Sequence, residues 1–200
     1  MSEAIAAAGR VARKEFRGFF TSPAAWLFLG AFLLVSLFVA RNLADLRPLF
    51  EWMPLLLIFL VAALTMRSWA EERRAGTLES LLTAPLAPLA LVMGKFLAAL
   101  GLVALALLLT LPLAVSVSLL GPLDWGPVIG GYLASLCLGA AYVAIGLAMS
   151  GRTDNPVVAL ILSVLVCGAF YLIGSPGVTA LFGHETGSLL AALGSGSRFD

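Results

Sequence analysis

Phe96-Leu97-Ala98-Ala99-Leu100-Gly101-Leu102-Val103-Ala104-Leu105-Ala106-Leu107-Leu108-Leu109-Thr110-Leu111-Pro112-Leu113-Ala114-Val115-Ser116-Val117-Ser118-Leu119-Leu120 is a run of twenty-five residues without one charged side chain. A helix needs about 20 mostly apolar residues to cross a bilayer. This run is long enough to do so, with Pro112 expected to kink it, because proline removes a backbone donor. Four more stretches qualify on either side, at residues 23–40, 52–70, 126–150 and 156–174. Pro156 suits a first helical turn, and Gly174-Ser175-Pro176-Gly177 is a strong breaker. The expected fold class is all-α, a polytopic helical membrane protein with five spans.

Composition agrees. Of 200 residues, 61% are hydrophobic and only 12% charged, with mean hydropathy +1.05. A soluble domain carries about a quarter charged residues. A chain this apolar cannot cover itself with polar groups, so its solvent must be lipid. Net charge is +1, which gives no support for a nucleic-acid partner. Cys137 and Cys167 fall inside apolar runs and read as packing residues.

Basic residues orient the chain. With the N-terminus inside, inner segments hold Arg10, Arg13, Lys14, Arg17, Arg67, Arg73, Arg74, Lys95 and Arg152. Outer segments hold Arg41, Arg47 and Arg198. Arg67, near the inner end of the second span, can snorkel to the interface beside Trp69. The tail, residues 175–200, then lies outside. A cleavable signal peptide fits poorly, since over twenty residues precede the first apolar run and no A-x-A site follows it closely.

Residues 1–22 are amphipathic. At about 100° per residue, Ile5, Ala8, Ala12, Phe16, Phe19 and Phe20 share one arc. Arg10, Arg13, Lys14 and Arg17 occupy the adjoining arc. That pattern predicts an elbow helix in the inner interface, and it also serves as a basic topology flank.

The segment at residues 71–88 reads Glu71-Glu72-Arg73-Arg74-Ala75-Gly76-Thr77-Leu78-Glu79-Ser80-Leu81-Leu82-Thr83-Ala84-Pro85-Leu86-Ala87-Pro88. Gly76 can end the helix descending from the second span. Thr77 is a candidate N-cap for a second short helix, with Glu79 in its first turn. Leu78, Leu81 and Leu82 then share a face, and Pro85 and Pro88 mark the return to the membrane. Such a ridge suits a groove on another protein, and equally the bilayer surface. Gly131, Ser135 and Gly139 recur at every fourth position, as do Ala140, Ala144 and Ala148. These rows allow close helix approach, for packing within the chain or for a dimer seam.

The embedded stretches carry no Asp, Glu, Lys, Arg or His except at the inner end of the second span. Ion-coupled carriers usually place such a group at depth, so that class ranks third. His184-Glu185 lacks the second histidine of an H-E-x-x-H zinc site, and no metal site is expected. No G-x-x-x-x-G-K-[ST] occurs, so no P-loop hydrolyses ATP here. Ser135 and Ser163 have no histidine at depth to activate them. No catalytic residue is expected.

The run from Met66 to Pro85 resembles the signature of ABC-2 type permeases, with particular likeness to the gliding-motility-type (Gld) subgroup. Lys14-Glu15-Phe16-Arg17-Gly18-Phe19-Phe20-Thr21-Ser22-Pro23 and Val143-Ala144-Ile145-Gly146-Leu147 are also similar to that subgroup. The resemblance implies an ABC-2 (type V exporter-like) permease with an N-terminal elbow. It implies a second permease subunit and a cytoplasmic ABC ATPase that binds ATP and Mg, this chain holding no cofactor of its own. Membrane lipids and an envelope accessory protein complete the expected partners, in a bacterial inner membrane. Carried over by position, Glu71, Glu72, Arg73, Arg74, Gly76, Thr77, Leu78, Glu79, Leu82 and Pro85 belong to the ATPase-docking coupling helix. Arg10, Arg13, Lys14 and Arg17 belong to the elbow. The resemblance implies six spans; five are expected here, with the sequence ending at Arg198-Phe199-Asp200 where the return to a sixth is expected. Two functions follow as expectations: an exporter permease, or a non-transporting assembly factor or anchor of an envelope complex.

Overall fold

The computed structural model describes residues 2–21, 23–40, 46–77, 88–120 and 123–174. Seven α-helices occur among them: α1 (Ser2–Thr21), α2 (Pro23–Val39), α3 (Arg47–Thr65), α4 (Ala70–Arg74), α5 (Pro88–Leu120), α6 (Trp125–Ser150) and α7 (Pro156–Ile173). The chain is an all-α polytopic membrane protein. Among the described residues, four segments are long and apolar enough to cross a bilayer: Arg47–Arg74, Pro88–Leu119, Trp125–Ser150 and Pro156–Ile173. A fifth is available if α1 and α2, bent by 77°, are counted as one broken span.

Local chemistry sets the helix ends. Asp124 accepts a hydrogen bond from the Gly126 amide at 3.0 Å and caps α6. Asn155 does the same for α7 through the Val157 amide at 2.9 Å, with Pro156 in the first turn. Two helices start earlier than the apolar runs alone indicate. α3 begins at Arg47, with Pro48 in its first turn, and so includes Glu51 and Pro54. α5 begins at Pro88 rather than at residue 96 and runs on through Pro112. Its 33 residues span about 50 Å at 1.5 Å per residue, against about 30 Å of hydrocarbon. Lys95 therefore lies two turns inside a helix, not before one.

α3 is the axis of the bundle and packs against α2, α5, α6 and α7. Its buried stripe, Leu49, Met53, Leu57, Val61 and Leu64, follows helical periodicity. Leu102, Val103 and Ala106 of α5 and Tyr142 and Val143 of α6 join it in one core. Large side chains such as Leu34, Phe38, Phe59, Leu119, Leu133 and Leu165 stay exposed, as suits a lipid solvent.

One small-residue row packs within the chain. A Cβ on Gly131 would lie 2.7 Å from the Phe50 ring, and one on Gly139 would lie 2.8 Å from Val103. Ser135, between them, is buried and donates to the Gly131 carbonyl at 2.7 Å. In the second row, Ala144 and Ala148 face outward.

Candidate functional site: a stapled helix break at the basic end

Arg67, Arg73, Arg74, Lys95 and Arg152 gather at the end of the bundle where α3 gives way to α4 and α6 ends. Between α3 and α4 the chain runs through a turn at residues 66–69. A break in a helix inside an apolar bundle strands backbone groups, which must find partners. Ser150, the last residue of α6, supplies them. Its Oγ accepts from the Trp69 amide at 3.1 Å and the Ala70 amide at 3.2 Å, and donates to the Met66 carbonyl at 3.1 Å. A hydroxyl has one donor and two acceptor positions, so Ser150 is fully used, and it is wholly buried. Gly146, one turn earlier, makes the approach possible: any Cβ there would collide with Oγ1 of Thr65.

Lys95 staples the same break from α5. Its Nζ donates to the Ser68 carbonyl at 2.8 Å, to Glu72 Oε1 at 2.7 Å and to Glu15 Oε1 at 3.2 Å. An ammonium has three donors, and all three are placed. The Trp69 ring lies 4.9 Å from Nζ and adds a cation–π contact. Lys95 is 3% exposed.

Glu15 belongs to α1, which packs chiefly along the first turns of α5. Ala7 and Ala8 sit against Ala90. Val11 lies so close to Gly94 that a Cβ there would meet it at 2.5 Å. Phe16 and Phe20 stack edge-on, as do Phe20 and Trp26, whose Nε1 donates to the Phe20 carbonyl at 3.0 Å. α1 is thus fixed to α5 and not only to lipid. Arg10, Arg13, Lys14 and Arg17 remain exposed on its outer face.

The coupling residues divide. Glu71 is exposed and pairs with Arg67 at 3.2 Å. Glu72 turns inward to Lys95. Arg73, Arg74, Gly76 and Thr77 are exposed. Gly76, at φ +68°, adopts the left-handed conformation that favours glycine and ends α4. The Thr77 hydroxyl donates back to the Glu72 carbonyl at 3.2 Å. Leu78, Glu79, Leu82 and Pro85 lie outside the described residues, as does the tail with His184. A cavity of about 290 Å³ opens beside the break, lined by Glu15, Phe19, Phe28, Arg67, Glu72 and Lys95 among others. No metal-competent cluster of His, Cys, Asp and Glu occurs among the described residues.

Residues 49–188, which include the whole of this break and the segment after it, match the family model described as ABC-2 family transporter protein. The chain belongs to that family. It is a multi-pass membrane protein, and the ABC-2 match makes it a membrane component of an ABC transporter, the family member that carries no ATPase site of its own. A comparison with curated proteins finds no match. Sequence reading missed, as parts of the site, Lys95, Gly146 and Ser150, which lie within the ABC-2 match, and Glu15, which lies ahead of it. Lys95 counted only as an inner-side charge. Glu15, a lone acid among Lys14, Arg13 and Arg17, was the one available signal.

Proposed function

We propose that this chain is the permease subunit of an ATP-driven ABC exporter of the gliding-motility-type subgroup. The basic end faces the cytoplasm of a bacterial inner membrane, with the N-terminus inside. Residues 71–85 dock a separate ATPase, which binds ATP and Mg and drives the cycle. A second permease subunit completes the complex, surrounded by membrane lipids and joined by an envelope accessory protein.

The observation that carries this reading is the position of α4. It is short and mostly exposed, and it projects from a break held by Ser150 and Lys95. A force applied to residues 73–77 therefore reaches α1, α5 and α6 through short polar contacts rather than dissipating in a loop. These 200 residues contain no G-x-x-x-x-G-K-[ST], which supports a separate ATPase as the energy source. The bias of nine basic residues against three favours the stated orientation.

Co-purification in mild detergent tests the proposal. The expected result is association with a protein that carries G-x-x-x-x-G-K-[ST] and hydrolyses ATP, lost on combining Glu79→Ala with Leu82→Ala. An intact complex in that double variant, or no ATPase association in the parent, overturns it.

A further inference from the structure

We infer that Lys95 is a positioning residue that latches the coupling segment to α1, so that a pull on residues 73–77 is passed through Glu72 and Lys95 to Glu15. The purpose of the latch rests on the exporter reading; its existence does not.

Three observations lead here. First, the acceptors around Nζ come from three different places: Glu15 on α1, the Ser68 carbonyl in the break, and Glu72 on α4. α1 and α4 share no other ion pair among the described residues, so Lys95 is the polar junction between them. Second, a buried charge is a poor way to glue helices. Taking an ammonium and a carboxylate out of water costs about as much as their attraction returns, and a well-packed apolar side chain usually does as well. Around Lys95, Ala90, Leu91, Ala98 and Ala99 already pack as apolar residues. The lysine thus adds direction rather than bulk adhesion. Third, both carboxylate arms are part-exposed, Glu72 at 25% and Glu15 at 30%, against 2% for Lys95, and the Glu72 arm is set apart by an unpartnered oxygen. Oε2 of Glu72 is buried with no hydrogen-bond partner, so the closed arrangement leaves one acceptor unpaid. The cavity of about 290 Å³ beside it gives α4 room to move. Lys95 keeps Glu15 and the Ser68 carbonyl when Glu72 leaves.

Coupling of this kind needs an element with two arrangements that both ends bias. The latch is closed when Glu72 meets Lys95 and open when Glu72 reaches water.

Distances between spin labels test this in the full chain, in lipid nanodiscs. Labels go on Arg10→Cys in α1 and Arg74→Cys in α4, both exposed positions, with Cys137→Ala and Cys167→Ala removing the native thiols. The deciding variant is the neutral triple, Lys95→Met with Glu15→Gln and Glu72→Gln, which leaves no buried charge behind. We expect it to keep the parent's melting temperature while the single narrow α1–α4 distance is lost to a broad distribution. An unchanged narrow distance would overturn the latch, because apolar packing alone would then hold α4. Should the triple variant not fold, Glu72→Gln alone decides: a second, longer distance supports the latch, and the parent's single distance overturns it. Neither distance measurement requires an ATPase. A broadened distance without ATPase association sinks the exporter reading only, and ATPase association with an unchanged distance sinks the latch only.

Discussion

At the basic end of the bundle, Ser150 and Lys95 each place three hydrogen bonds around a broken helix. At the other end, α3 and α6 meet through Phe50 and Tyr132, whose rings stand edge-on at 5.3 Å. There the helices are continuous. Thr110 donates to the Leu107 carbonyl at 2.7 Å and lies 3.1 Å from the Tyr132 hydroxyl, a polar contact in an apolar setting. The difference follows from the backbone. An intact helix satisfies its own amides and needs only shape from its neighbours. A broken one needs specific partners, and those partners fix where the following segment points. One end is joined by packing, the other by directed bonds that a partner can pull on.

That contrast predicts an order of stability losses, measured by thermal unfolding in detergent. Lys95→Met should cost most, about 3–5 kcal/mol, because Glu15 and Glu72 are left as part-buried charges without their cation. Ser150→Ala should cost about 2 kcal/mol, since the Trp69 and Ala70 amides and the Met66 carbonyl lose their partner. Tyr132→Phe, at the packed end, should cost about 1 kcal/mol, because Thr110 keeps its bond to the Leu107 carbonyl. Arg67→Ala should cost about 0.5 kcal/mol or less, the Arg67–Glu71 pair being half exposed. If Tyr132→Phe proves worse than Ser150→Ala, the two ends do not differ in the way proposed.

The helical membrane class was legible because uncharged runs of bilayer length admit few other folds. The end of α4 was legible too, in Gly76, whose lack of a side chain permits the left-handed turn. The break before α4 was not. Met66-Arg67-Ser68-Trp69 contains neither Gly nor Pro; the turn is stabilised by Ser150, far away in sequence, and no local pattern announces it. Lys95 was hidden for a related reason. Its burial depends on α5 starting at Pro88 and on α1 folding back over it, both of which are tertiary outcomes. The same applies to Glu71 and Glu72. They look equivalent in sequence, but the helical phase set by the break sends one outward to Arg67 and the other inward to Lys95.

The central claim is that the basic end is a protein-facing lever. Site-specific photo-crosslinking in intact cells tests it most directly, with a photoreactive residue replacing Arg74 in α4 and, for comparison, Trp125 at the far end. From Arg74 we predict an adduct that mass spectrometry identifies as a soluble ATP-binding protein with a P-loop, and no such adduct from Trp125. Adducts from Arg74 with lipid alone, or with proteins of the outer face, would contradict the account.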